Sequence, residues 1–296
     1  MEGMAIRPGS KTNVELWTRE EKGMVRRLDS VAVEEPLEIR LRAGHRERVV
    51  AITMRTPGSD FELAAGFLYG EGVVRNANSI RSISYCVDRA KEKEQLFNVV
   101  TVDLATERLP DLGGLERHFL TTSACGVCGR ASLEILRSRG CRPLPIAWTI
   151  PANLLPLLPE RLGSRQGVFR ATGGLHAAGL FTKQGELIAL REDVGRHNAM
   201  DKLIGWALLQ DRLPLSDYLV LVSGRASYEL LQKALAAELP LFCAVSAPSS
   251  LAVRLAREFS LTLVGFLRGE RFNVYGGRER ILAADAPCLP RVAKDA

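Results

Sequence analysis

Residues 218–267 read YLVLVSGRASYELLQKALAAELPLFCAVSAPSSLAVRLAREFSLTLVGFL, and their rhythm decides the architecture. Three apolar runs of strand length, 218–223, 241–246 and 262–267, are separated by helix-length segments at 227–238 and 249–259. Ser227 and Ser249 stand where an N-cap is wanted. Strands apolar on both faces, alternating with helices of about ten residues, argue for a parallel or mixed sheet covered on both sides.

Toward the N-terminus the same rhythm continues, with helical patterns at 132–139, 151–166 and 196–209 and strands at 175–182 and 187–191. Earlier still the pattern changes. Residues 31–42 and 48–54 alternate apolar and polar side chains, and Ala43-Gly44-His45 supplies a turn between two antiparallel strands. Pro57-Gly58-Ser59-Asp60 comes next, with Ser59 or Asp60 placed to cap a helix through Leu63, Ala64, Phe67 and Leu68. Further strands are expected around 80–87 and 96–104, and turn formers cluster at 109–117. The expected fold is α/β (α+β overall). A loosely ordered arm (1–30) precedes a small α+β domain (31–117) and a larger α/β domain (118–296) with a mixed sheet covered by helices.

Composition narrows the function. With 46% hydrophobic and 25% charged residues, the chain can bury a substantial core. Its net charge of +6 favours anionic partners, or is simply a solvated surface. No dense Lys/Arg block with interleaved aromatics points to nucleic acid. No run approaches the roughly 18 apolar residues of a membrane span, and the first residues lack the apolar core of a signal peptide. A cytoplasmic protein is expected.

Cys86, Cys125, Cys128, Cys141, Cys243 and Cys288 are too few and too scattered for a disulfide scaffold. The exception is the tight pair in Thr121-Thr122-Ser123-Ala124-Cys125-Gly126-Val127-Cys128-Gly129-Arg130. Two glycines leave this loop bare, the helix after it presents a partly positive N-terminus, and Arg130 adds a cation. All of these favour a thiolate. An accessible thiolate can attack a sulfur donor, and a thiol three residues on can resolve or share the product. Half of a structural zinc site, or a plain redox pair, uses the same spacing. Zinc wants a second close ligand pair, yet the other cysteines are isolated and His118, His176 and His197 are dispersed. Zinc-dependent nucleoside deamination is excluded too. His176 is followed by Ala177-Ala178 instead of a proton-shuttling Glu, and Ala124 stands where the motif has Pro.

Three turns at expected strand ends carry small polar or basic residues. They are Ser223-Gly224-Arg225-Ala226-Ser227, Ser246-Ala247-Pro248-Ser249-Ser250 and Gly265-Phe266-Leu267-Arg268-Gly269, each read as a strand-to-helix turn. Such loops line up at the carboxyl ends of parallel strands, where ligands bind, and free N–H groups behind Ser227 and Ser249 suit phosphate. Turn and capping chemistry also explains each loop singly. Neither a Gly-x-Gly-x-x-Gly nor a Walker A pattern is present. In Thr172-Gly173-Gly174-Leu175-His176 a histidine adjoins a glycine pair. Between 191 and 198 charge is dense, with Asp193 placed to cap a helix that opens with Arg196 and His197.

Taken together these segments resemble one family. Cys-Gly-Val-Cys-Gly at 125–129, Arg-x-Pro-Gly-x-Asp-x-Glu-Leu-Ala-x-Gly-Phe-Leu from Arg55, and Thr-Gly-Gly-Leu-His-Ala-Ala from Thr172 carry the likeness. So do Glu-Asp-Val-Gly-Arg-His-Asn-Ala-x-Asp-Lys from Glu192, Ser-Gly-Arg-x-Ser-x-Glu from Ser223 and Leu-Val-Gly-Phe-x-Arg-Gly from Leu263. The resemblance is to the formate dehydrogenase accessory sulfurtransferases, the FdhD/NarQ family, and covers nearly all of the chain after residue 30.

The resemblance has specific implications. Cys125 would accept sulfur as a persulfide from a cysteine desulfurase, with Cys128 assisting. The sulfur would pass to the molybdenum cofactor, bis-molybdopterin guanine dinucleotide, of a formate dehydrogenase. The family's cofactor-binding segment maps onto Thr262, Leu263, Val264, Gly265, Phe266 and Leu267. Ser223, Gly224, Arg225, Ser249 and His176 join it as candidates from the loops, with no metal bound directly by the protein. The larger domain would be cytidine-deaminase-like in fold and the protein a homodimer. A binding chaperone that only holds cofactor or dehydrogenase, and a dithiol redox protein, are the competing readings.

Overall fold

The computed structural model describes residues 9–86, 97–110, 129–138 and 140–283. The chain opens with a hairpin, β1 (Lys11–Glu20) and β2 (Gly23–Ala32), paired in register from Lys11↔Ala32 to Glu20↔Gly23. Where the sequence suggests a loosely ordered arm up to residue 30, residues 11–32 form this hairpin. Most side chains on both faces of this hairpin are exposed, so no alternation marked it as a strand pair.

The first packed unit is a four-stranded sheet, ordered β4-β3-β6-β5, of β3 (Glu35–Ala43), β4 (Arg46–Arg55), β5 (Ile80–Tyr85) and β6 (Val99–Leu104). Gly44, at φ 57°, makes the β3–β4 turn. Helix α1 (Asp60–Gly70) covers one face, and Leu37, Ile39 and Leu41 meet Leu63 and Leu68 in the core. Ser59 occupies the N-cap position in a left-handed conformation without a side-chain cap bond. Asp60 does not cap either, because Arg55 takes its carboxylate with two hydrogen bonds of 3.1 Å. Arg55 is fully buried and also donates to Glu35, Asn98 and the Phe97 carbonyl, each at 3.2 Å.

The second unit begins with α2 (Gly129–Ser138) and the short β7 (Ile150–Pro151). Pro156 and Pro159 split the expected 151–166 helix into a 3-10 turn and α3 (Leu158–Arg165). Then come α4 (Gly167–Thr172), β8 (His176–Thr182), β9 (Leu187–Asp193), α5 (Arg196–Leu209), β10 (Tyr218–Val222) and α6 (Tyr228–Ala236). The chain continues through β11 (Leu241–Ala244), α7 (Ser250–Glu258), β12 (Thr262–Arg268), β13 (Arg271–Gly276) and β14 (Ile281–Leu282), the last pairing with β7.

Six strands form one mixed sheet in the order β13-β12-β11-β10-β8-β9. β10, β11 and β12 are parallel, whereas β8, β9 and β13 are antiparallel to their neighbours. Val220, Val222, Phe242 and Leu263 face α5, α6 and α7, and Leu219, Leu221, Leu241 and Val264 pack under Leu155, Leu158 and Leu162. Burial on both faces is why β10 and β11 are apolar throughout and β12 is apolar between Thr262 and Arg268.

The two units are joined by α1 against α5. A Cβ placed on Gly66 would overlap the Asp201 carbonyl, and one on Gly205 would overlap that of Glu62. Beside this crossing, Thr56 gives its N–H to Asp193, its carbonyl to Lys202 Nζ at 2.8 Å and its hydroxyl oxygen to the Val194 N–H.

Candidate functional site

Because β8 runs against β10, its first residue arrives where β10 ends. Val222 pairs with Ala178, so His176 lies level with Ser223 and Gly224. Ser223 fixes this alignment, its Oγ accepting from Ala177 N–H at 2.9 Å while its own N–H donates to the Ala177 carbonyl. The last residue of β9, Asp193, pairs with His176 and delivers the start of α5 to the same edge. The first turn of α6 comes after Ser227, which caps it as expected by accepting from Leu230 N–H. Two helix N-termini and a strand start therefore converge on one carboxyl edge.

Asp193 is not the α5 cap; Gly195 is. The Asp193 carboxylate is instead a buried junction. One oxygen accepts from Gly195 N–H and Asn198 Nδ2, the other from Thr56 N–H and Lys202 Nζ at 2.6 Å. It ties the opening of α5 to the first unit.

His176 is half-buried against Gly224, where an added Cβ would sit 3.4 Å from its Nδ1. Burial, then the positive charge of Arg196, His197 and Arg225, holds its pKa below the ordinary histidine value. Arg196 Nε is buried without a hydrogen-bond partner among the described residues, and Arg225 is exposed. His197 Nε2 lies 2.8 Å from Glu229 Oε2 and 3.3 Å from Ser227 Oγ. Both partners meet the same ring nitrogen, so this is not a Ser-His-Glu catalytic triad, which needs one partner on each nitrogen. The His197 hydrogen bond holds the Glu229 carboxyl below its ordinary range. One turn deeper Asp201 of α5 pairs with Lys233 of α6 at 2.7 Å, both buried.

The second loop is laced to the first. Ser246 N–H donates to the Gly224 carbonyl, Ala226 N–H to Ala247, and Ser249 N–H to Ala226. Ser249 caps α7 by accepting from Ala252 N–H at 3.2 Å. The third segment departs from expectation. It is not a loop leading to a helix, because β12 runs on to Arg268 and turns back into β13, with Phe266 at φ 53° in a register shift. Thr262, Leu263, Val264 and Leu267 have no exposure at all, and Thr262 Oγ1 is spoken for by the Gly277 carbonyl and Arg280. Of this segment, the backbone of Gly265 and the exposed Phe266 reach toward the second loop. Phe266 N–H donates to the Ser246 carbonyl, and a Cβ on Gly265 would sit 3.1 Å from Pro248.

The edge thus assembles His176, Ser223, Gly224, Arg225 and Ser249 from the expected set. It adds Arg196, His197 and Glu229, of which the first two read in the sequence as no more than a charged helix start. Cys125 and Cys128 lie outside the described residues; α2 starts at Gly129, directly after them. Among the described residues, no three His, Cys, Asp or Glu side chains are grouped to hold a metal. No helix there is long and apolar enough to cross a membrane.

Residues 32–282 match the model of the FdhD/NarQ family. The chain is 54% identical over 260 residues to the sulfur carrier protein FdhD of Streptomyces coelicolor, covering 86% of this chain and 90% of that one. It is 50% identical over 263 residues to the protein of the same name from Mycobacterium tuberculosis, covering 87% and 94%. A crystal structure of a putative formate dehydrogenase accessory protein from Desulfotalea psychrophila superposes with a TM-score of 0.70 at 26% identity, over 92% of this chain and 99% of that one. With the match spanning both sheets and the site at the carboxyl edge, the chain belongs to the FdhD/NarQ family.

Proposed function

We propose that this protein is a sulfur carrier that loads sulfur on Cys125 and delivers it to the molybdenum cofactor destined for formate dehydrogenase. The observation that carries the reading is near-full-length identity of about half to relatives named sulfur carrier proteins. In the loading step the Cys125 thiolate attacks the terminal sulfur of a desulfurase persulfide. A new S–S bond forms on Cys125 and the donor cysteine leaves as a thiolate. Cys128 is close enough in sequence to assist the later release.

The cofactor is the substrate, in its guanine dinucleotide form, and the carboxyl edge suits its phosphates. Arg196, Arg225 and the N-termini of α5 and α6 supply positive potential there. His176, Ser223, Gly224, Ser249 and the backbone at Gly265 and Phe266 shape the seat. Thr262, Leu263, Val264 and Leu267 act as the strand beneath it.

The test is intact-protein mass spectrometry after incubation with a cysteine desulfurase and cysteine, comparing the native chain with Cys125→Ala. A reducible gain of one sulfur that the variant lacks supports the carrier. No gain in either protein, with cofactor still bound, leaves a binding chaperone instead.

A further inference from the structure

The motif that begins at Arg55 has no role in the proposed function, yet it is held by a dense set of buried hydrogen bonds. Arg55 is fully buried and clamps Asp60, Glu35 and Asn98, and all three polar groups of Thr56 are bonded to the neighbouring unit. Directly after this anchor the chain forms a bare rim. Gly58 and Ser59 are exposed, with positive φ of 110° and 55°, and a Cβ on Gly58 would meet nothing within 4 Å. A non-glycine residue held left-handed costs free energy and persists only where its surroundings fix it.

The rim stands beside β9, an outer strand of the six-stranded sheet that, among the described residues, pairs on one side only, with β8. Between them lies a cavity of about 730 Å³, lined along its floor by every residue from Leu187 to Glu192. The start of α4 forms the opposite wall. At roughly 3.3 Å per residue a floor of six residues is about 20 Å long. That is the footprint of a short extended segment. A strand edge in a groove with no second strand beside it is the setting in which a peptide adds itself as a further strand.

Charge selects the occupant. Lys202 is committed to Asp193 and the Thr56 carbonyl and reaches the Glu192 carbonyl at 3.5 Å. Arg191 binds Glu62 and the Leu190 carbonyl, and the Glu192 carboxylate accepts from the N–H groups of Val168 and Phe169. An added strand would take the Leu190 and Glu192 carbonyls over from these side chains. Among the described residues, the uncommitted charges at the groove are Lys11 and Arg165, both cationic and exposed. Ile188, 38% exposed, offers an apolar contact in the same groove.

We propose that β9 and the 57–59 rim form a docking groove for an extended, acidic segment of a partner protein, which pairs its backbone with β9. The partner is the formate dehydrogenase that receives the sulfur; this identity rests on the proposed function, while the mode of binding does not.

The experiment uses the full chain and overlapping 12-residue peptides that tile the catalytic subunit of formate dehydrogenase, with binding followed by fluorescence anisotropy. Ile188→Asp and Arg165→Glu are exposed changes that leave the fold in place. At least one acidic peptide is expected to bind, to weaken tenfold or more with each variant, and to protect the outward-facing amides of Ile188, Leu190 and Glu192 from hydrogen exchange. Absence of any acidic binder, or binding indifferent to both variants, overturns the groove. Persulfide loading of Cys125 is measured on the same variants. Loading that survives while peptide binding is lost separates this inference from the sulfur reading, and loading that fails in the native chain overturns the partner assignment.

Discussion

Gly66 and Gly205 touch backbone to backbone where α1 crosses α5, each filling the space that a Cβ on the other helix would need. The contact is made of carbonyls and amides, which cannot swing aside as a side chain can. Gly66→Ala and Gly205→Ala are each expected to destabilise the protein by about 3 kcal/mol or more, at the upper end for overpacking. The gain of roughly 1 kcal/mol in helix propensity from replacing glycine does not offset this. Thermal unfolding checks it; a melting temperature equal to the parent's would show that the helices separate freely.

Arg55 offers a test of the first unit itself, because its partners Glu35, Asp60, Phe97 and Asn98 all belong to it. Arg55→Met leaves Asp60 buried without its guanidinium, and the loss of one partner from a buried pair costs about 3–5 kcal/mol. Arg55→Lys keeps the charge but loses the two-pronged grip, so it is expected to recover only part of that cost. Urea midpoints should rank parent, then Lys, then Met.

The pH dependence of His176 has a definite sign. Burial and the cations Arg196, His197 and Arg225 depress its folded pKa, so the unfolded chain takes up the proton first. Its effect on stability is absent above the ordinary value near 6.5, and grows as an increasing penalty while pH falls from there toward the folded pKa. His176→Gln should therefore flatten the fall in melting temperature between about pH 7 and pH 5. Identical slopes in parent and variant would remove His176 from the cationic cluster.

Thiol reactivity divides the cysteines. Cys243 is fully buried in β11, and burial alone pushes its pKa far above the ordinary thiol value. Iodoacetamide followed by peptide mapping should label Cys125 in the native protein and Cys243 only after unfolding. Native labelling of Cys243 would mean that β11 is not the covered strand described above.

How much could be read in advance depends on where burial falls. β10, β11 and β12 were legible because both faces are covered and no polar residue interrupts them. β1 and β2 were not, because Trp17, Met24 and Leu28 are 64%, 59% and 72% exposed and both faces meet solvent. Gly265-Phe266 looked like a turn, but the positive φ of Phe266 serves a bulge inside β12. The edge itself was half legible. Ser227 and Ser249 announce their caps locally, whereas the pairing of His197 with Glu229 joins residues more than thirty apart that only the packing of α5 on α6 brings together.

That pairing is one of two, and their order has a consequence. His197 faces Glu229, and one turn on, Asp201 faces Lys233, so the carboxylate sits on α6 in the first rung and on α5 in the second. Sliding α6 by a single turn along α5 would set Asp201 against Glu229, or His197 against Lys233. The buried Asp201–Lys233 rung sets one permitted notch and the more exposed His197–Glu229 rung repeats it, an arrangement that specifies alignment more than it adds stability. The helix ends that frame the carboxyl edge are thereby kept level with each other, whatever occupies the space between them.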